Sequence, residues 1–174
     1  DLISSRIYGY RAPCFSIDNH HLERLAQCGY KYDSSRINFT SHPLYGNINI
    51  SDFTKITDNI YKSHNLYEFE LPTSKFANKK IPISGGGYLR IFPWFVMKRL
   101  ISEYLDNYET YFLYIHPFEL SSNKPKYLKN QSLLKNFRFM YGQENTKHKL
   151  EKLIDLLQIK GFEFTTFHNL IQKY

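Results

Sequence analysis

The sequence predicts an α/β fold with a mostly parallel sheet or barrel, because segments typical of strands alternate with segments typical of helices. Two helices carry the clearest signal, one opened by Pro93 and one from about Asn145 to Lys160, each with apolar residues along one stripe. Between them, residues 111–115 are continuously apolar, which is typical of a parallel strand buried on both faces. No linker or repeat divides the chain, so we expect a single unit.

The first third of the chain predicts two strands and a helix. Residues 6–10 and 30–34 are typical of short strands, and between them Asp18 caps a helix of about ten residues that ends at Gly29. Residues 37–60 are rich in Asn, Ser, Asp, Pro and Gly. This composition predicts a long surface excursion, of the kind that often builds binding sites.

Further along, residues 66–71 predict a strand with one solvent-exposed face, since Glu68 and Glu70 alternate with apolar residues. The Gly85–Gly87 run predicts a tight structural or groove-lining turn. No Lys-Ser or Lys-Thr follows this run and no helix is expected to start there at once, so nucleotide binding is disfavoured. A strand over 162–165 and a short helix over 167–173 complete the predicted elements.

Composition excludes several classes of function. The chain of 174 residues has 23 Lys plus Arg against 16 Asp plus Glu, a net charge of +7. No run of five basic residues marks a binding arm, so we expect no nucleic-acid partner. No apolar stretch approaches the roughly 20 residues of a membrane-spanning helix, and we expect no such span. Cys14 and Cys28 lack the spacing of a zinc site and are predicted to be packing residues.

Two motifs follow predicted strands, at the position where functional residues of parallel sheets gather. Arg11, followed two residues later by Pro13, can bind a carboxylate through two N–H groups and keep it ionised. The alternative is a surface arginine before a turn. His116 leaves the apolar segment 111–115 and suits general acid or base work; the alternative is a structural histidine.

Four segments of the chain carry a more specific resemblance when they are taken together. They are Tyr8 to Ile17, Gly29 to Ser35, Gly85 to Arg90, and Tyr114 to Leu120. These segments occur in the order found in NodB-like polysaccharide deacetylases, a carbohydrate esterase family, and the chain most resembles the exopolysaccharide-associated bacterial branch. The resemblance continues to the end of the chain and includes Phe137-Arg138-Phe139.

The resemblance implies a fold and an activity. The fold is the C-terminal part of a distorted (β/α) barrel over about residues 1–120, with a C-terminal helical extension over about 121–174. The activity is metal-dependent hydrolysis of N-acetyl groups on a polysaccharide. In such a site Arg11 orients the aspartate that serves as base, and His116 supplies the acid. The two side chains are then expected to converge on one cleft.

The resemblance also implies roles for further residues. Asp33 would line the groove or tune the histidine, and its alternative is to stabilise a turn with the two serines that follow it. Glu119 would contact substrate or steady the His-Pro turn, and its alternative is a solvent-facing position. The implied substrate contacts are Pro13, Tyr88, Phe118 and Glu119.

A divalent metal, with zinc favoured, is implied for the complete protein. The family's aspartate pair and its histidine pair four residues apart precede the arginine motif, where this sequence has only a few residues, and nothing downstream replaces them. His20 and His21 lie in the first turn of a predicted helix and are expected to be solvated. We therefore expect this chain to bind no catalytic metal and to be inactive alone.

A non-catalytic glycan-binding module of the same fold is the alternative function. The expected partner in either case is an N-acetylated polysaccharide or oligosaccharide. The sequence assigns neither an oligomeric state nor a compartment, whether the cell envelope or the cytoplasm of a bacterium.

Overall fold

The computed structural model describes residues 5–39, 45, 48–121 and 141–174. They form a mixed α/β structure with a mixed sheet and several helices. The chain divides into two compact units. The first comprises residues 1–82, 108–112 and 164–174, and the second comprises residues 83–107 and 113–163.

Five strands of the first unit form one sheet. They are β1 (Gly9–Tyr10), β2 (Tyr32–Asp33), β3 (Thr54–Thr57), β4 (Ile60–Ser63) and β5 (Leu66–Phe69). Their spatial order is β1-β2-β5-β4-β3. Strands β1, β2 and β5 run parallel, whereas β3 and β4 form an antiparallel hairpin that joins β5. The predicted first two strands are thus confirmed, although both are short.

The surface excursion predicted over 37–60 is partly wrong. Ile37 and Ile48 are buried, and the segment contains β3 and the first residue of β4. A strand at the edge of a sheet tolerates polar residues on both faces, so its composition resembles that of a loop. A second hairpin, β6 (Thr73–Phe76) and β7 (Lys79–Pro82), was not predicted; its turn places Ala77 and Asn78 at positive φ.

The described residues contain five α-helices. They are α1 (Asn19–Gln27), α2 (Gly86–Ile91), α3 (Trp94–Leu105), α4 (Thr146–Ile159) and α5 (Phe167–Ile171). Four of them were predicted at these positions. Helix α2 was not, and the expectation that no helix starts within the glycine run is wrong, because α2 begins at Gly86.

Two apolar clusters stabilise the first unit. Leu22 of α1 lies in one of them, a cluster of buried residues that also contains Ala12, Ile17, Ile48 and Leu66. In the other, the Phe167 ring of α5 lies 4.6 Å from that of Phe69 and 5.3 Å from that of Phe112. The cap of α1 is the predicted one, since Asp18 accepts a hydrogen bond from the His21 N–H at 3.0 Å.

The second unit is built on α2, α3 and α4. Helix α3 buries Leu100 and Ile101, and α4 buries Leu153 and Leu157, in agreement with the predicted stripes. Met97 of α3 is buried as well, although it was not part of the predicted stripe. The apolar segment 111–115 is not a strand: its one described pairing is a parallel bridge between Gly85 and Tyr114. Residues 162–165 likewise lack strand structure. Apolar character alone does not form a strand without a neighbour to accept its hydrogen bonds.

The predictions about the cysteines and about membrane-spanning helices can be compared directly with the structure. Cys14 and Cys28 are exposed, so the prediction that they pack is wrong. Among the residues that the structure describes, no helix combines the length and apolarity that a membrane span requires. The distorted barrel and the boundary near residue 120 stay predictions. Phe137-Arg138-Phe139 lies outside the described residues.

Candidate functional site

Polar side chains gather at the carboxyl ends of the three parallel strands. Arg11 follows β1 directly, Ser34 and Ser35 follow β2, and Glu68 lies within β5. Because β2 is paired with β1 on one side and β5 on the other, these residues are neighbours across the sheet. Ligand sites of parallel sheets form at this edge.

Arg11 is half-buried and is held by Ser34. Its Nε donates to the Ser34 carbonyl at 2.8 Å, and its Nη2 donates to the Ser34 Oγ at 2.8 Å. The same Oγ donates to the Phe69 carbonyl at 2.9 Å, which ties the arginine to β5. The guanidinium also lies 5.9 Å from the centre of the Phe167 ring. Arg11 precedes a turn and is part-exposed, as in the alternative, but its guanidinium is held in a defined position; its role toward a carboxylate stays a prediction.

Asp33 is completely buried and holds the turn that follows β2. Its carboxyl accepts hydrogen bonds from the Ser35 N–H at 2.7 Å and the Ser35 Oγ at 3.0 Å. That Oγ in turn accepts from the Ala12 N–H at 2.8 Å. These contacts with Ser35 agree with the turn-forming alternative for Asp33, and its role in a groove or toward the histidine stays a prediction. Burial raises the pKa of Asp33, while hydrogen bonds from Glu68 and Ser35 and the charge of Arg11 act in the opposite direction.

Glu68 is the member of this network that the sequence analysis missed. The alternation predicts a solvent-exposed Glu68, but the residue is 0% exposed, so that prediction is wrong. Its Oε1 accepts from the N–H groups of Ser35 and Arg36, at 3.1 and 2.8 Å. Burial, and then the charge of Asp33, raise the pKa of Glu68 well above its ordinary value.

Glu70 is also buried, so the predicted solvent exposure is wrong at this position too. It pairs with Arg36, whose Nε lies 2.5 Å from the Glu70 Oε2 and whose Nη1 donates to the Ile48 carbonyl. The sequence signal for both glutamates was the alternation itself. Glu68 lies in a strand paired on both sides and Glu70 directly follows it, so each buried carboxyl needs a partner. The strand order that reveals this requirement is a property of the tertiary structure.

The second unit contains the histidine motif. His116 is exposed and precedes a 3-10 helix over Pro117–Leu120. Its ring is stacked on Phe118, with centres 5.6 Å apart, and meets the Tyr114 ring edge-on at 5.8 Å. The backbone at this position is fixed while the imidazole stays accessible to a ligand. This arrangement suits a proton donor.

Glu119 fixes the turn that carries His116. It is 1% exposed, and its Oε2 accepts from the His116 N–H at 2.9 Å, while its own N–H donates to the His116 carbonyl at 2.9 Å. A Cβ at Gly86 would lie only 2.1 Å from the Glu119 Oε2, so the glycine is required by close approach rather than by backbone conformation. The steadying role of Glu119 is confirmed, and the solvent-facing alternative is wrong.

Gln143 is a second residue that supports this turn and that the sequence analysis missed. Its Nε2 donates to the carbonyls of Phe118 and Ser121, each at 2.6 Å. The side chain is buried. A glutamine distant in sequence carries no local signal for such a contact, so only the structure reveals it.

The residues expected to contact substrate lie in several places. Pro13 is exposed and opens a 3-10 turn in which Cys14 and Phe15 have positive φ values of 53° and 55°. Non-glycine residues in this region are strained, and such strain concentrates at functional sites. Tyr88 is half-buried in α2 and stacks on Phe92, with ring centres 6.4 Å apart. Their roles toward substrate stay predictions.

Arg11 and Asp33 belong to the first unit, and His116 and Glu119 belong to the second. Within each unit, the predicted site residues occur beside groups that hold them in place. The expectation that Arg11 and His116 converge on one cleft stays a prediction.

Among the described residues, Asp18, His20 and His21 are a group that could hold a metal ion, with one ligand atom each within 4.8 Å of the others. All three are exposed, as expected for the histidines. The Asp18 Oδ1 already accepts from the His21 N–H and lies 2.6 Å from its Nδ1, and these contacts lower the pKa of Asp18. The positive end of a helix dipole also disfavours a cation here. These residues do not fit a catalytic metal.

The fold and these contacts define a mixed α/β protein in which buried carboxyl groups and half-buried arginines form a network at the ends of the parallel strands. The DUF3473 family, described as a domain of unknown function, matches residues 34–172. Since this match covers most of the sequence, the chain belongs to the DUF3473 family. No curated protein and no solved structure matches the chain.

Proposed function

We propose that this chain forms the C-terminal part of the catalytic domain of a metal-dependent polysaccharide deacetylase. Its reaction adds water to an N-acetyl group, breaks the C–N bond, and releases acetate and a free amine. Two findings support the proposal. The DUF3473 family is known as the C-terminal part of polysaccharide deacetylases, and the four sequence segments occur in the order found in that enzyme class.

The arginine motif is the observation that carries the proposal. Arg11 follows a parallel strand and is held through Nε and Nη2, so its guanidinium has a defined position. A fixed guanidinium orients a carboxylate better than a flexible lysine does. In the proposed mechanism Arg11 positions the aspartate that removes a proton from the attacking water. That aspartate would lie outside this chain.

His116 is proposed to protonate the leaving nitrogen as the C–N bond breaks. The support is its exposed ring on a turn that Glu119 holds in place. A metal in the complete protein would lower the pKa of the attacking water. The Asp18, His20 and His21 group does not fit that metal, so the proposal places its ligands elsewhere.

Acetate release tests the proposal. The complete protein that contains this chain should release acetate from N-acetylated glucosamine oligomers, and a chelator should abolish the release. The 174-residue chain alone should release none. Fully deacetylated oligomers serve as the control substrate, from which no acetate can come.

Two outcomes would contradict the proposal. Acetate release that survives the chelator would remove the metal from the mechanism. Binding of the oligomers by calorimetry, without acetate release from any N-acetylated glycan tested, would favour the glycan-binding module instead.

A further inference from the structure

We propose that Glu68 is a positioning residue: as a neutral carboxylic acid that donates a hydrogen bond to Asp33, it holds the turn that fixes Arg11. The inference rests on the proposed function, which gives Arg11 its role. No part of that proposed mechanism uses Glu68.

The strand register brings the two carboxyl groups together. Asp33 of β2 and Glu68 of β5 are paired residues of parallel strands, so their side chains lie on the same face of the sheet. Both residues are 0% exposed. Two ionised carboxylates on paired and fully buried residues would repel each other without water to screen them, so the pair retains one proton.

The hydrogen bonds assign that proton to Glu68. Both oxygens of Asp33 already accept hydrogen bonds from Ser35, which suits an ionised carboxylate. The Glu68 Oε1 accepts two backbone N–H groups, but its Oε2 is buried and receives no hydrogen bond among the described residues. A proton on Oε2 turns that atom into a donor, and a side-chain hydrogen bond from Glu68 to Asp33 is among the causes that act on the pKa of both groups.

The charged groups around the pair agree with this assignment. Arg11 lies near Asp33 and directs Nε and Nη2 to Ser34, while Arg36 directs its Nε to Glu70. On the neighbouring strand β1, Tyr10 is paired with Asp33. On the other side of the pair, Tyr61 of β4 is paired with Glu68, and Lys55 of β3 is paired with Tyr61. The Lys55 ammonium is bonded to Asp58 at 2.6 Å. Burial and the Asp33 charge both raise the pKa of Glu68, in the direction that the geometry requires.

Glu68 acts on Arg11 through the turn after β2. Its Oε1 holds the N–H groups of Ser35 and Arg36. This places Ser34, whose two oxygens bind Arg11, and it places the Ser35 hydroxyl, which binds the Ala12 N–H. Loss of the Glu68 acceptor would free the turn that holds the arginine motif.

Three variants of the 174-residue chain separate this role from a general structural one. Glu68→Gln keeps a neutral group that accepts from the backbone and donates to Asp33, but it cannot ionise. Glu68→Ala removes both contacts. Glu70→Gln is the matched control, because it removes an acid two residues further along the chain and leaves Glu68 in place.

The main readout is the Arg11 Nε–H resonance in nitrogen-15 NMR. We expect a protected resonance in the wild-type chain, in Glu68→Gln and in Glu70→Gln, and its loss in Glu68→Ala. The second readout is the carboxyl carbon-13 shift of Glu68, which should stay that of a protonated acid after the ordinary titration range of glutamate has been passed.

Stability gives a third readout, with a defined sign. Because the folded-state pKa of Glu68 is raised, the free energy of unfolding should fall as pH rises from the ordinary pKa of glutamate through the folded-state value. Glu68→Gln should remove this fall, and Glu70→Gln should retain it. A purely structural role would not produce this difference between two isosteric changes.

The proposal is overturned if the Glu68 carboxyl titrates in the ordinary range, if Glu68→Gln keeps the wild-type pH dependence, or if a folded Glu68→Ala keeps the protected Arg11 signal. Should Glu68→Ala not fold, the wild-type titration and Glu68→Gln still decide. None of these measurements uses acetate release. Failure of the deacetylase function would therefore be distinguishable from failure of this inference.

Discussion

Both oxygens of Ser34 bind Arg11, the carbonyl at Nε and the hydroxyl at Nη2, each at 2.8 Å. The hydroxyl also donates to the Phe69 carbonyl, so a single side-chain atom joins the arginine motif to the central strand β5. Replacing a serine at such a position tests how far the network depends on one atom.

Ser34→Ala should lower the free energy of unfolding by about 1–3 kcal/mol, because the Phe69 carbonyl and one guanidinium donor lose a buried partner. Urea unfolding measures the change. Ser51→Ala is the control: Ser51 is exposed, and among the described residues its hydroxyl reaches only Asp52, at 3.3 Å, so the change should stay within about 0.5 kcal/mol. Equal effects of the two substitutions would contradict the role of Ser34.

Asp33→Asn should shift the titration of Glu68. The substitution removes the charge that is the second cause of the raised Glu68 pKa, while burial, the first cause, remains. The Glu68 carboxyl should then titrate at lower pH than in the wild-type chain. Stability that is lost as pH rises through the folded-state pKa should be lost to a smaller extent, by about 1.4 kcal/mol for each unit by which that pKa falls.

Urea unfolding at a series of pH values, together with carbon-13 NMR of the carboxyl groups, measures both effects of Asp33→Asn. Asp52→Asn, at an exposed position, should leave the Glu68 titration unchanged. An unchanged Glu68 titration in Asp33→Asn would show that the two carboxyls do not interact.

Gly86→Ala should destabilise the chain whereas Gly87→Ala should not, although the two positions are adjacent in α2. A Cβ at Gly86 would lie 2.1 Å from the Glu119 Oε2 and displace the carboxyl that binds the His116 N–H. We expect a loss of about 1–3 kcal/mol of stability and a changed His116 NMR environment.

At Gly87 the nearest atom to a Cβ lies 3.9 Å away, which is ordinary contact. Alanine is a better helix former than glycine, so Gly87→Ala should be neutral or stabilise the chain by up to about 1 kcal/mol. Thermal unfolding compares the two variants. If Gly87→Ala also destabilises the chain, the loss in Gly86→Ala would come from alanine in helix α2 in general and not from the contact with Glu119.

His116→Ala in the complete protein should reduce acetate release by roughly 10²–10⁴-fold, the contribution of one general acid. The fold should be retained, because the ring is exposed and the turn is held by Glu119 through the backbone. Metal affinity should be nearly unchanged. His148→Ala, at an exposed position of α4, is the control and should keep wild-type turnover; normal turnover in His116→Ala would remove the histidine from the mechanism.

The sequence predicted the helices well and the strands unevenly. Helices α1, α3, α4 and α5 were found because their apolar spacing, the Asp18 cap and the Pro93 start are local signals. The predicted strand over 111–115 failed because a strand also needs a partner, and the described residues there form only the bridge at Tyr114. Edge strand β3 was missed for the converse reason, since its polar composition is that of a loop.

Sequence by itself determined the α/β class, the positions of four of the five described helices, and the placement of Arg11, Asp33 and His116 within or directly after predicted strands, because each depends on residues close together along the chain. Tertiary structure alone decided that Glu68 is buried and faces Asp33. Whether a face of an alternating strand is exposed or buried depends on the elements that cover it, and the strand order determines which elements do so. In the same way, only the packing of α2 against Glu119 revealed why residue 86 is a glycine.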